Sequence, residues 1–350
     1  MIKYKILKDY NDSIFNSFFL NGHLQTIWAS TFGKKIISNN TNIKFVRERW
    51  DTPDSDFIDI DWLQNEEPVK KLNPNPNPLL ILFHGLEGSS QSQYSLAFAE
   101  VAREKGWSFV VVNFRGCSGE INLAPRSYHA GDSDEIDWII QKFNSLPKLI
   151  GCDIFCIGVS LGGNALLKWI ANHDKKNYSH VKNLKAIVSL SAPLDLIASG
   201  KNIDNGLNKF LYAKYFLKSM IIKAQKKWEQ YPGLFNLGDV TRAKTIEEFD
   251  DSFTAPVHKF YGVIDYWKKS SSLPEVRYIS SPTLVINAQN DPLVPYNSLK
   301  LLEVNCPNIE FWNPISGGHV GFPAKKSRFK LLYQFLHMPR LVLKWLDKFT

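Results

Sequence analysis

Apolar residues change their spacing several times along this chain. In five short runs, 79–83, 109–114, 154–159, 184–190 and 283–287, almost every residue is apolar. Such runs predict strands buried on both faces. Between them, near 93–105, 133–143, 162–172 and 297–304, apolar positions recur every three to four residues, which predicts helices. Strands alternating with helices imply a mainly parallel sheet covered on both sides, an α/β class. Before this pattern, 45–50 and 56–63 alternate apolar with polar residues and predict antiparallel strands. After it come a strand-like 309–312 and a helical pattern over 331–346. The Asn-Pro alternation at 73–78 reads as a stiff exposed turn.

The α/β alternation stops between Ala192 and Ser280. An interruption of nearly ninety residues is too long for a loop. It predicts a helical cap (192–280) inserted after the sixth strand of a core built from 1–191 and 281–350. Within the cap, 207–230 shows helical spacing of Phe210, Leu211, Phe216, Leu217, Met220, Ile221 and Trp228 among six lysines. The lysines fit a solvated face first and a peripheral membrane or anionic-lipid contact second.

Composition narrows the field. With 44% hydrophobic and 22% charged residues the chain is a globular protein. Its net charge of +8 comes from 33 lysines and only nine arginines, interspersed with acids. No nucleic-acid reading motif accompanies them, so nucleic acid is not expected as a partner. Cys117, Cys152, Cys156 and Cys306 lack metal or redox spacing and fit reduced core residues. The first ten residues lack the apolar stretch of a signal peptide, and polar Asn16, Asn21, His23 and Gln25 interrupt 13–32. A cytoplasmic location is therefore expected.

Residues 158–162, Gly-Val-Ser-Leu-Gly, fall where the strand period gives way to the helix period. A serine held in a sharp strand-to-helix turn needs small neighbours, and it projects its hydroxyl off the edge of the sheet. Ser160 is thus the candidate nucleophile, and the Leu161 backbone N–H a candidate oxyanion donor at the new helix's N-terminus. A serine hydroxyl becomes nucleophilic only when a positioned base takes its proton. Of the histidines after Ser160, His319 stands out in a Gly-Gly-His loop following 309–312, while His337 and His173 lie in helical patterns. Asp291, at the carboxyl end of the strand 283–287 and braced by Pro292 and Pro295, is preferred as the orienting acid. Asp195, at the end of 184–190, is its rival, and an Asx turn would equally account for Asp291. The second oxyanion donor is expected from Leu86 in His-Gly-Leu-Glu-Gly, 84–88, with His84 shaping that turn. No metal or organic cofactor is called for.

Six segments together resemble the YheT-like hydrolases, the AB hydrolase family four of the α/β-hydrolase superfamily. They are 21–26 (Asn-Gly-His-Leu-Gln-Thr), 84–88, 113–119 (Asn-Phe-Arg-Gly-Cys-Ser-Gly), 158–164, 249–256 (Phe-Asp-Asp-Ser-Phe-Thr-Ala-Pro) and 317–322 (Gly-Gly-His-Val-Gly-Phe). The likeness runs from about residue 20 to the C-terminus. It implies an α/β-hydrolase fold and hydrolysis of carboxylic esters, with Ser160, Asp291 and His319 at the family's charge-relay positions. Short- to medium-chain acyl esters, including monoacylglycerols, are the expected substrates. The same side chains would serve a thioesterase or acyltransferase. A lipid- or ligand-binding protein without turnover is the alternative from another class.

Overall fold

The computed structural model describes residues 21–64, 76–176, 181, 183–299, 306–323 and 331–350. The first ten residues, part of the Asn-Pro turn and the end of the helix expected at 297–304 lie outside these. One eight-stranded sheet runs in the order β1-β2-β4-β3-β5-β6-β7-β8. Its strands are β1 Phe45–Asp51, β2 Phe57–Leu63, β3 Leu79–Phe83, β4 Ser108–Asn113, β5 Ile154–Val159, β6 Leu184–Leu190, β7 Thr283–Ile286 and β8 Ile309–Trp312. The first two are antiparallel to their neighbours, and from β4 onward every pairing is parallel. All residues of β3 and β5 are buried, as continuous apolar runs require when helices cover both faces.

One face packs against α1 (Gly22–Asn40), α2 (Gln93–Glu104) and α9 (Leu331–Leu346), the other against α3 (Ser133–Ser145) and α4 (Leu161–Lys175). The fold is that of an α/β hydrolase. Helix α1 has no counterpart among the expected helices. Its apolar residues are not gathered on one clear face, so periodicity conceals it, although Asn21 caps it by accepting from the His23 N–H at 2.8 Å. The short turn Tyr296–Leu299 is the described part of the helix expected at 297–304.

A helical segment follows the sixth strand, comprising α5 (Leu196–Ile203), α6 (Lys214–Gln230), α7 (Leu237–Arg242) and α8 (Val263–Ser270) with shorter turns between. It has its own apolar cluster around Leu217, Phe249, Phe253 and Trp267. Among the described residues, no helix is long and apolar enough to cross a membrane.

The acids of the second strand would face water in a simple alternation. Instead Asp59 and Asp61 are buried. Arg49 donates to Asp59 and Arg47 to Asp61 across the β1–β2 ladder, each at 2.8 Å. These arginines hold both carboxyls below the usual carboxylate range against the opposing effect of burial.

Candidate active site

Ser160 sits between the last residue of β5 and the first of α4 at φ 52° and ψ −120°. This is a conformation non-glycine residues rarely adopt, and it persists only where surrounding structure imposes it. The imposition comes from close packing. A Cβ on Gly162 would lie 2.4 Å from the His84 carbonyl oxygen, and one on Gly158 2.5 Å from that of Gly162. Helix and strand therefore meet closer than any larger residue allows, and the Ser160 N–H is fixed on the Leu190 carbonyl at 2.8 Å.

Asp291 follows β7 and its side chain is fully buried. Its Oδ1 accepts from the backbone N–H groups of Leu293 (2.8 Å) and Val294 (3.1 Å). Its Oδ2 lies 2.9 Å from His319 Nδ1, and His319 Nε2 lies 2.9 Å from Ser160 Oγ. A carboxylate can only accept, so the network places the imidazole proton on Nδ1 and leaves the Nε2 lone pair facing the serine hydroxyl. The Asx-turn bonds and the contact to His319 coexist on Asp291, with Oδ2 the nearer oxygen to the imidazole and Oδ1, which holds the two turn N–H groups, also 3.2 Å from Nδ1. Asp195 instead caps α5 by accepting from the Ala198 N–H at 3.0 Å. His173 faces Asp174, and His337 lies in α9 beside Tyr333. The structure thus brings together Ser160, Asp291 and His319 and leaves the other candidates elsewhere.

Residues 85–88 form a turn closed by the Gly88 N–H on the Gly85 carbonyl at 3.0 Å. His84 is buried and shapes it. Its Nδ1 donates to the Gly85 carbonyl at 2.7 Å and its Nε2 accepts from the Phe114 N–H at 3.0 Å. Burial lowers its pKa to about 4, so the ring stays neutral. Within the turn, Gly85 N–H donates to Tyr94 Oη and Glu87 N–H to Tyr128 Oη, each at 3.0 Å. Among the described residues, the N–H groups of Leu86 and Leu161 have no protein acceptor. Leu86, Leu161, Ser160 and His319 line one cavity. Two free donors therefore accompany the hydroxyl and the imidazole.

The same cavity runs beneath the helical segment, where Leu196, Phe216, Met220, Phe249, Phe253 and Trp267 line it. It has about 160 Å³ of room for the centres of water-sized spheres, where one water needs roughly 10–15 Å³. Such an apolar space beside a few polar atoms suits an acyl chain. Among the ionisable groups in the wall, which include Glu87, Arg115, Lys223 and Lys227, Asp250 stands apart. Asp250 is buried and, among the described residues, pairs with no cation, accepting from Thr254 Oγ1 (2.7 Å) and Trp267 Nε1 (2.8 Å). Burial raises its pKa to about 6. Between about pH 4 and 6 the folded protein holds this proton while the unfolded chain has lost it. Its contribution to stability is therefore complete below pH 4, declines up to about pH 6 and is flat above. Asp250→Asn, whose amide can donate to Thr254 and accept from Trp267, removes that decline. Urea unfolding should show the variant gaining about 2–3 kcal/mol on the wild type between pH 4 and 7. A constant difference would contradict the assignment.

Three residues of the site had no role in the sequence-based reading. Gln25 is buried on α1, where its Oε1 accepts from the Gly317 N–H at 2.9 Å and its Nε2 donates to Ser316 Oγ at 2.5 Å. Asn290 Oδ1 accepts from the Gly317 and Gly318 N–H groups, each at 3.0 Å. Thr26 Oγ1 donates to the Gly22 carbonyl and accepts from the His319 N–H at 2.8 Å. Together they clamp the His319 loop; the 21–26 motif was the only local signal of Gln25 and Thr26, and Asn290 had none beyond its place before Asp291. Thr26→Val keeps the shape but leaves the His319 N–H unpaired. We expect kcat to fall by about 10- to 100-fold with KM little changed. Thr26→Ser should restore it, and an unaltered kcat in the valine variant would show the clamp to be dispensable.

Fold and site together define the class, an α/β hydrolase. The alpha/beta hydrolase fold family matches residues 78–325, and the chain belongs to it. It is a hydrolase of the esterase and lipase type. The Escherichia coli protein named "Putative esterase YheT" is 34% identical over 312 residues, 87% of this chain and 85% of its own. The mouse protein named Phospholipase ABHD3 is 26% identical, covering 85% of this chain and 72% of its own. A Pyrococcus furiosus esterase structure superposes with a TM-score of 0.52 at 16% identity, over 90% of this chain and 93% of its own. That last likeness concerns the fold.

Proposed function

We propose that this protein hydrolyses short- to medium-chain carboxylic esters, monoacylglycerols among them, through an acyl-enzyme on Ser160. The observation that carries the reading is the continuous relay from Ser160 Oγ through His319 to Asp291, with 2.9 Å at both junctions. Ser160 Oγ attacks the ester carbonyl as its proton passes to His319 Nε2. Asp291 holds the imidazole in the accepting tautomer and favours the imidazolium that forms. The Leu86 and Leu161 N–H groups bind the carbonyl oxygen as it becomes an oxyanion, a role in which one donor is worth about 10²–10³ in turnover. His319 then protonates the departing alcohol. Water, deprotonated by the same nitrogen, attacks the acyl-serine and releases the carboxylic acid, restoring Ser160. The helical segment between β6 and β7 acts as a cap, and its apolar wall receives the acyl chain. Also in keeping with the reading, a chain relative in yeast, 25% identical over 73% of this chain and 58% of its own, is named Monoacylglycerol lipase.

A fluorophosphonate probe tests the assignment, because it phosphonylates only an activated serine. Wild-type protein should label and Ser160→Ala should not. Labelling that survives the substitution would remove Ser160 from the reaction. A panel of p-nitrophenyl esters from acetate to palmitate, with a monoacylglycerol, then reads the acyl preference, and turnover confined to thioesters would overturn the ester reading.

A further inference from the structure

Residues 206–230 form one continuous helical run, with a π-helical turn at Lys209–Ala213 leading into α6. Its inner side is ordinary core, with Ala213, Leu217, Met220 and Ala224 buried. Its outer side is not an ordinary surface. Leu207, Phe210 and Tyr215 are 67%, 72% and 74% exposed, and Leu211 and Ile222 are exposed as well. With Lys214 and Lys218, also exposed, they recur at three- and four-residue steps and make one stripe along the helix. Scattered exposed apolar residues need no explanation, but a contiguous row of this size does.

Charge narrows what can cover the stripe. From Gly206 to Trp228 the run contains no Asp or Glu. Lys223 is spent on Glu87, and Lys227 is buried against the Asn122 and Ala124 carbonyls. Among the described residues, Lys214, Lys218 and Lys226 make no ion pair. Large aromatic and aliphatic groups between unpaired lysines match a lipid interface, with rings at headgroup depth and ammonium groups toward anionic phosphates. The run is held to α1 on its buried side, where the His23 ring stacks on Tyr212 at 5.8 Å.

We propose that this outer face of the 206–230 run docks the protein on an anionic lipid surface. Phe216 and Met220, on another flank of the same helix, line the cavity that holds Ser160. Docking therefore sets the acyl cavity one helix away from the lipid, where a partly buried ester can reach it. The inference deepens the ester-hydrolase reading by naming where its substrate resides, but lipid binding itself is independent of turnover.

The test is co-sedimentation of the full chain with vesicles of phosphatidylcholine, with and without about a third phosphatidylglycerol. Binding should be at least about tenfold tighter to the anionic vesicles and should weaken sharply as salt shortens the screening length. Phe210→Asp with Tyr215→Asp, and separately Lys214→Glu with Lys218→Glu, should each abolish it. Both should leave p-nitrophenyl butyrate turnover within about twofold, since none of the four residues lines the cavity. Equal affinity for neutral vesicles, no binding, or full binding by both double variants would overturn the proposal. A wild-type dimer that the same substitutions split would assign the face to a second copy instead. Vesicle binding without turnover of any ester would sink the hydrolase reading and leave the docking surface standing.

Discussion

Ser160→Ala should lower kcat for p-nitrophenyl butyrate by about 10⁵- to 10⁶-fold while KM changes little. Alanine removes the attacking oxygen and almost nothing else. The strained φ of 52° is imposed by the glycine contacts around it, and the Ser160 N–H bond to Leu190 does not involve the side chain. The binding cavity and the free Leu86 and Leu161 N–H groups also remain, so the ester should still bind. What little rate survives would come from donors polarising the carbonyl toward water. Loss of hydrolysis with an unchanged unfolding midpoint is the decisive pair of measurements. A residual rate within tenfold of wild type would mean that another nucleophile does the work.

Asp291→Asn is expected to cost about 10⁴-fold in kcat, again with little change in KM. The reason lies in which oxygen is already committed. Oδ1 accepts two backbone N–H groups, from Leu293 and Val294, so an asparagine must keep its carbonyl oxygen there. Its amide nitrogen then occupies the Oδ2 position, 2.9 Å from His319 Nδ1 and nearer to it than Oδ1, which lies at 3.2 Å and already holds two donors. Two donors cannot face each other. The imidazole relieves the conflict by moving its proton to Nε2, which then points an N–H at Ser160 and can no longer accept. The fold is undisturbed, yet the base has the wrong tautomer. Raising the pH should not rescue the variant, because deprotonation of an imidazolium still yields that tautomer. Recovery at high pH, or a loss below tenfold, would show that Asp291 does not set the proton's position.

Much of this site was legible because its signals are local. The change from strand to helix period at Ser160 is encoded within some twenty residues, and the glycines around the serine announce the tight turn. Asp291 and the turn at Leu86 each follow an apolar run, so their position at the carboxyl edge of the sheet followed from the α/β pattern. His319 follows from its Gly-Gly loop after β8. The clamp on that loop was not legible in the same way. Gln25 and Thr26 act on groups nearly three hundred residues away. Nothing in the composition of α1 reveals that its polar side chains replace the backbone partners a Gly-rich loop lacks. The buried carboxyls of Asp61 and Asp59, paired with Arg47 and Arg49, were hidden likewise, since alternating acids in a strand look solvated until an arginine strand pairs with them.

The sequence by itself determined the class of sheet, the sharp strand-to-helix turn at Ser160, the candidate places of Asp291 and His319 after later strands, and the helical nature of the insertion after β6. Those are consequences of backbone period and turn chemistry, which act over a few residues. Only the tertiary structure decided that Asp291 rather than Asp195 meets His319, and that Glu87 is tied to Lys223 of the inserted segment at 2.8 Å. It alone decided that, among the described residues, Asp250 is buried in the cavity wall without a cation and Phe210 and Tyr215 stay exposed. Each of these depends on which distant surfaces meet. A side chain's charge, protonation and exposure are set by those neighbours, which chain order does not specify.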